Sequence, residues 1–213
     1  MGMRLTNLKG TIQLMTGLHI GVGNDDIHIG GVDSAVIKTP EGNPYIPGSS
    51  LKGKIRSLLE LAEGSIGNGG RPSSRKDNPT SKIPVLFGDL TQTEVTRVLF
   101  RDAMLSQESK QRLLEDSILP TEEKSENSIN RCFGVADNPR NIERAIPSLK
   151  FDVEIVVRLL DGDDEEEFRR ILSNGLALLE KDALGGSGSR GYGKVKFLDM
   201  TWDGQPFTVE YRK

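Results

Sequence analysis

The chain predicts an α+β fold on the ferredoxin-like plan, an open sheet with helices packed on one face and with insertions. Three observations predict it. Apolar and polar residues alternate over 10–20 and most clearly over 150–160, the period of a strand with one buried face. Apolar residues at helical spacing mark 51–63 and 163–181. In chain order these give strand, strand, helix, then strand, helix, strand, and no internal repeat interrupts them.

Taken in order, the first strand (10–20) puts Ile12, Leu14, Leu18 and Ile20 on one face and Gln13, Met15 and His19 on the other. After a glycine-rich turn at 21–26, the run 27–37 reads as its hairpin partner. Gly30 and Gly31 interrupt that run, as at a bulge or a close backbone approach. Ser49 and Ser50 then offer an N-cap to a helix over 51–63, with Leu51, Ile55, Leu58, Leu59 and Ala62 as its buried stripe. Residues 64–81, rich in Gly, Ser, Asn, Pro and Arg without periodicity, predict a mobile loop. A short helix is expected near Thr91 and a strand within 98–105. The polar stretch 106–126 reads as a charged surface insertion, and 127–147, with Asn138-Pro139 between aliphatic patches, as a protruding hairpin. The clearest strand follows: Phe151, Val153, Ile155, Val157 and Leu159 alternate with Asp152, Glu154 and Arg158. In the helix over 163–181, Phe168, Ile171, Leu172, Leu176 and Leu179 face the sheet, and an acidic first turn suits the helix dipole. A last strand over 194–202 must return beside an earlier one.

The 213 residues suffice for one large domain or two small ones. No apolar run is long enough to span a bilayer, and the first ten residues lack a signal peptide's apolar core, so a cytoplasmic location is expected. Cys132 is the sole cysteine, which excludes an intramolecular disulfide and a thiolate zinc site. The net charge of -3 gives no general pull toward nucleic acid. Any RNA must therefore meet a local basic group, and Lys52, Lys54 and Arg56 form one, apart from the acidic block at 163–167.

The strongest functional signal is the loop 184–193, with five glycines in ten positions. A loop so free of side chains exposes backbone N–H groups that cradle phosphate, as at Gly186, Ser187 and Gly188. Arg190 supplies a fork-shaped cation for the same phosphates and Tyr192 a stacking face. A nucleotide-binding enzyme is the rival reading. It fails because no Gly-Lys-Ser or Gly-Lys-Thr follows, and because here helix precedes glycines and strand follows, the reverse of phosphate-binding nucleotide folds. Lys52 and Arg56 lie four apart on one helical face near an N-terminus, where cations oppose the dipole; RNA phosphates over that terminus would offset the cost. Lys54 points away from that pair. Ser49 and Ser50 cap the helix, bind phosphate, or do both. His19, opposite the aliphatic stripe, is an RNA-contact candidate. With His28, Asp25 and Asp26 it also forms a conceivable metal cluster, although Asp25 and Asp26 suit a turn.

The glycine loop after a helix, the segment Gly48-Ser49-Ser50-Leu51-Lys52-Gly53-Lys54-Ile55-Arg56 and the segment Ile29-Gly30-Gly31-Val32-Asp33-Ser34 together resemble the RAMP proteins of CRISPR systems. Within them the chain looks like the backbone subunit of the type III-A Csm effector complex, over nearly its full length. The resemblance implies a ferredoxin-like (RRM-like) palm, about 1–63 and 148–213, with an inserted lid and thumb. The mobile loop is then about 64–81, the charged insertion about 82–126 and the thumb about 127–147. It further implies a CRISPR RNA gripped by head-to-tail copies beside the other Csm subunits. Each copy is expected to act as an endoribonuclease on complementary target RNA, with a divalent metal, Mg2+, as cofactor; a non-catalytic guide-RNA scaffold is the alternative. Asp33 matches the aspartate required for cleavage, either holding the metal or positioning the attacking 2′-hydroxyl, a route that leaves a cyclic phosphate. The stretch 131–147 resembles the thumb that intercalates between guide and target: Ile142 and Ile146 as wedges, with Arg131, Arg140 and Arg144 on flanking phosphates.

Overall fold

The computed structural model describes residues 2–22, 34–89, 91 and 95–212. Its central strands are β1 (Met3–Leu14) and β6 (Lys150–Leu160), paired antiparallel from Met3↔Leu160 to Gln13↔Lys150. On the other edge of β1 lies β7 (Val195–Trp202), and beyond it the short β8 (Gln205–Pro206). Two short strands, β2 (Val98–Phe100) and β3 (Met104–Leu105), share the outer edge of β6. Ordered across the sheet, the four main strands run β7-β1-β6-β2, or 4-1-3-2 in their own chain order. Helix α1 (Gly48–Glu63) lies between β1 and β2 in the chain, and α4 (Glu165–Lys181) between β6 and β7. This is the ferredoxin-like plan the sequence predicts. The pairing differs, however: β1 pairs with β6 and β7 and not with 27–37, of which 27–33 lie outside the described residues. The strand that completes the first half is β2, after α1.

The core lies between the sheet and these helices. Leu8, Ile12 and Leu14 of β1 and Val153, Ile155 and Val157 of β6 meet Leu51, Ile55 and Leu59 of α1 and Phe168, Leu172, Leu176 and Leu179 of α4. Each of these thirteen fully or nearly buried side chains contributes roughly 1.5–3 kcal/mol of transfer free energy. The opposite sheet face carries exposed Met3 and Leu5 and the Lys9–Glu154 pair. The helix-covered face, the buried one, is what specifies register.

Several local expectations need correction. The first strand begins at Met3 and ends at Leu14 rather than spanning 10–20, because pairing with β6 organises 3–9, where apolar residues fall on both faces. Helix α1 starts at Gly48, after Pro47, with no side-chain cap; the Gly48 N–H donates to Asp102 Oδ1 (2.7 Å), so Ser49 and Ser50 lie inside its first turn. The expected helix near Thr91 is found earlier as α2 (Ile83–Phe87), while Thr91 sits in a turn with its N–H on Asp89. The stretch 98–105 is two strands because four steps from Phe100 to Met104 oppose three from Ile155 to Asp152, a bulge that turns Ala103 toward Ile46.

Within the expected charged insertion, α3 (Gln107–Glu115) is capped by Ser106, whose hydroxyl accepts from the Ser109 N–H. The protruding hairpin starts there too: β4 (Thr121–Ile129) pairs with β5 (Ala136–Ala145) as a second sheet. Residues 64–81 are docked rather than free. Arg56 donates to the Ser73 carbonyl, Glu60 accepts the Ser73 N–H, and Ser73, Ser74 and Ser81 are buried.

Candidate nucleic-acid interface

The glycine loop follows α4 and is closed on itself and on the chain after β1. The Leu184 N–H donates to the Gly193 carbonyl, Gly193 to Gly17, and Gly186 to His19, each at 2.8–2.9 Å. A Cβ on Gly193 would lie 1.9 Å from the Leu184 oxygen and one on Gly185 2.3 Å from the His19 oxygen, both at positive φ. Two of the glycines therefore serve close backbone approach, so the expectation of a fully open cradle is corrected. Arg190 and Gly191 also donate inside the loop, in a 3-10 turn at Gly188–Arg190. Among the described residues the N–H groups of Ser187, Gly188 and Ser189 meet no protein acceptor, and Gly186 and Ser189 are exposed.

The loop shares an open groove with α1. Lys54, Lys181, Asp182, Gly185, Gly188 and Ser189 line it, and Lys54 Nζ is 3.2 Å from Asp182 Oδ2. The cation that reaches the loop is thus Lys54, the one the helical wheel separates from Lys52 and Arg56. Arg56 is corrected from phosphate ligand to internal tie. It bonds Glu60 Oε1 (2.7 Å), the Gly88 carbonyl (2.9 Å) and the Ser73 carbonyl (2.7 Å), and its side chain is largely buried. Lys52 is half-buried; burial first, then the Arg56 charge, holds its pKa below the usual lysine value. Ser49 is exposed and Ser50 half-buried on the same turn.

Tyr192 offers RNA no stacking face. It is 1 % exposed, with Lys124 Nζ 4.5 Å and Arg144 Cζ 5.0 Å from its ring centroid. Both cations belong to the hairpin, so the loop's tyrosine fastens the hairpin to the palm. Arg190 is half-exposed, donates to Ser187 Oγ (2.5 Å) and pairs with Glu126 Oε2 at 3.1 Å.

His19 is half-buried between three segments. Its Nδ1 is 2.7 Å from the Glu143 carbonyl and its Nε2 3.1 Å from Ser34 Oγ. A carbonyl only accepts, so Nδ1 carries the proton and Nε2 takes the Ser34 hydroxyl. His19 is therefore a clamp, and neither ring nitrogen faces an RNA. Glu143 completes it: its N–H donates to the Ser34 carbonyl, and its carboxylate accepts from the Val36 N–H, Thr121 and Lys38. Burial pushes the Glu143 carboxyl up, but these donors outweigh it and hold it below the usual carboxylate range. Asp33, His28, Asp25 and Asp26 lie outside the described residues. Among the described residues no three His, Cys, Asp or Glu side chains gather as a metal site.

At the hairpin tip Arg131 is exposed beside Phe133 (79 % exposed), Ile129 and Val135, in a turn closed by Gly134 N–H to the Asn130 carbonyl. The expected wedges are corrected: Ile142 is buried at the hairpin base and Ile146 packs on the core. Arg140 is exposed, while Arg144 is committed to Tyr192 and to Glu122 (2.7 Å). Sequence reading missed Phe133 because it favoured the aliphatic Ile142 and Ile146 as wedges. Gly134 and Asn130, both turn formers, were the available signal. It also missed Lys124 and Glu126, which sit in a stretch that reads as solvated charge.

The model of the RAMP superfamily matches residues 11–196. The chain is 42 % identical over 218 residues to the CRISPR system Cms endoribonuclease Csm3 of Methanothermobacter thermautotrophicus, covering 96 % of this chain and 87 % of that one. It is similar to a crystal structure of a Csm3-Csm4 subcomplex of the type III-A CRISPR-Cas interference complex, with TM-score 0.56 and 32 % identity over 93 % of this chain and 77 % of that one. It is also similar to the Methanopyrus kandleri Csm3 crystal structure, with TM-score 0.64 and 26 % identity over 92 % and 75 %. A chain that matches the family over this length, with the glycine loop closed on the strand-helix scaffold described above, belongs to the RAMP superfamily and within it to the Csm3 family.

Proposed function

We propose that this chain is the guide-RNA-binding backbone subunit of a type III-A CRISPR interference complex and an endoribonuclease that cuts complementary target RNA at regular intervals. The observation that carries the reading is the groove in which Lys54 of α1 borders the glycine loop, with the free N–H groups of Ser187, Gly188 and Ser189 and the fork of Arg190 beside it. Peptide N–H groups and cations around an open groove suit a sugar-phosphate backbone and carry no base specificity. Lys52, Ser49 and Ser50 extend this surface along α1, and exposed Arg131 and Phe133 present the hairpin tip to the strand paired with the guide. The relatives' name, endoribonuclease, supports the activity, and the Csm3-Csm4 subcomplex supports other subunits as partners. Copies stack head to tail, a heterologous contact that makes filaments. The site of action is the cytoplasm, in keeping with the finding that no described helix is long and apolar enough to cross a membrane.

In this reading Asp33 carries the chemistry. It either holds a divalent ion, Mg2+, or orients the target's 2′-hydroxyl for attack on the adjacent phosphate, which leaves a cyclic phosphate. His19 and Glu143 are engaged within the protein, with both His19 nitrogens and both Glu143 oxygens bonded. Their contribution is to hold Ser34, the residue after Asp33, against the glycine loop's anchor at His19. The test is the assembled complex incubated with complementary RNA and magnesium. The unmodified complex is expected to cut at regular intervals, and Asp33→Ala to lose at least about 10²-fold in rate while still binding target. Uncut RNA with the unmodified complex returns the chain to a non-catalytic scaffold.

A further inference from the structure

Where the glycine loop meets the hairpin, a buried carboxylate holds the loop's arginine. The Glu126 side chain is 9 % exposed, with Arg190 Nε at 3.1 Å and Lys124 Nζ at 3.5 Å. Neither carboxylate oxygen has a donor in hydrogen-bond geometry, and the neighbouring Tyr192 hydroxyl is likewise unbonded. A glutamate carboxyl with Arg190 and Lys124 beside it is charged at neutral pH. The contact with Arg190 is thus an ion pair made through one edge nitrogen and poorly aligned, whereas a phosphate engages a guanidinium fork through two parallel bonds. Arg190 is half-exposed on the loop that carries the free N–H groups of Ser187, Gly188 and Ser189, so an anion settling there reaches it directly.

We infer that Glu126 is an internal competitor for RNA phosphate, holding Arg190 in the empty protein and yielding it when a phosphate occupies the loop. This rests on the RNA-binding reading above. Lys124 remains beside Glu126 after the exchange, so no carboxylate is left buried without a cation. Because Glu126 is on β4 and Arg190 on the loop, the exchange loosens a tie between hairpin and glycine loop and leaves another, Tyr192 between Lys124 and Arg144. RNA binding thereby carries a cost that only a well-placed phosphate repays, which lowers affinity for loosely fitting anions.

The experiment is binding of a fluorescently labelled single-stranded RNA of mixed sequence to the purified full chain. Glu126→Gln, isosteric and uncharged, is expected to bind about three- to tenfold tighter than the unmodified chain, and Glu126→Asp, with its carboxylate drawn back, to gain less. In an Arg190→Ala background the Glu126→Gln gain is expected to vanish. Equal or weaker binding by a folded Glu126→Gln overturns the inference, as does a gain that persists without Arg190, which marks a net-charge effect alone. Should Glu126→Gln not fold, the Glu126→Asp comparison decides in the same way. Absence of RNA binding by every protein in the series overturns the RNA-binding reading as well, an outcome distinct from binding without a gain.

Discussion

Lys54 and Arg56 stand two positions apart on α1, and the tertiary structure gives them opposite tasks. Lys54 borders the glycine loop and pairs with Asp182 in solvent, a contact worth at most about 1 kcal/mol. Lys54→Ala is therefore expected to leave thermal stability almost unchanged, to weaken RNA binding, and to reduce the slope of log affinity against log salt by about 1. Arg56 instead ties Glu60, Ser73 and Gly88 together beneath residues 64–81. Arg56→Ala is expected to cost about 2–4 kcal/mol of stability, because it strips a buried carboxylate of its cation, and to leave the salt slope as it was. Thermal melting and salt-titrated RNA binding separate the two. A shallower salt slope for Arg56→Ala at unchanged melting temperature would restore Arg56 as a phosphate contact.

Among elements, the hairpin of β4 and β5 shows how burial divides one segment into structural and presenting parts. Its base is locked: Ile142 is buried, Ser34 bridges to it, and Arg144 and Lys124 close over Tyr192. Its tip exposes Phe133, Ile129 and Val135 to solvent, an arrangement that burial energetics alone disfavours and a wedge between bases requires. Phe133→Ser is expected to shift stability by no more than about 0.5 kcal/mol and to slow target cleavage in the assembled complex about tenfold or displace its position. Cleavage with unchanged rate and spacing sinks the wedge role of the tip. Ile142 and Ile146 look like better wedges in the sequence because they are aliphatic. What removes them is the packing of the hairpin base on the palm, which involves Ser34 and Leu18, more than a hundred residues away in the chain.

Across the whole molecule, a buried ion pair ties the turn between β6 and α4 to the segment before β2, and it contributes to the response to acid. Asp163, at the turn between β6 and α4, takes Arg97 at 2.8 and 3.2 Å and the Leu160 N–H at 2.9 Å. Burial pushes its carboxyl up, and Arg97 with the Leu160 N–H outweighs it, so the folded pKa lies below the ordinary aspartate value. A depressed folded pKa means that this stabilisation is complete above about pH 4, the unfolded value, and is lost as pH falls through the folded one. The melting temperature of the chain is expected to drop below about pH 4. Asp163→Asn is expected to be about 2–4 kcal/mol less stable at neutral pH and to show a flatter acid limb. An unchanged acid limb in that variant assigns the transition to other carboxylates, Glu143 first.

The sequence alone determined the frame. Strand β6 and helix α4 stand where alternation and helical spacing put them, at Lys150–Leu160 and Glu165–Lys181, because burying one face leaves its period in the chain whatever the partner. The glycine loop was legible as a concentration of glycines, but its reading as an open cradle missed that Gly185 and Gly193 serve close backbone approach. Which charged and aromatic side chains remain free for RNA was decided by the tertiary structure. Arg56 is consumed by Ser73, His19 by Ser34 and Glu143, and Tyr192 by Lys124 and Arg144. A side chain's availability is the difference between solvent and a protein partner, and those partners lie from 15 to 124 residues away for His19 alone. No local spacing encodes them. The loop that led the sequence reading is the feature we propose faces RNA, with Lys54 as its companion on α1, and its own tyrosine is turned inward to hold the hairpin.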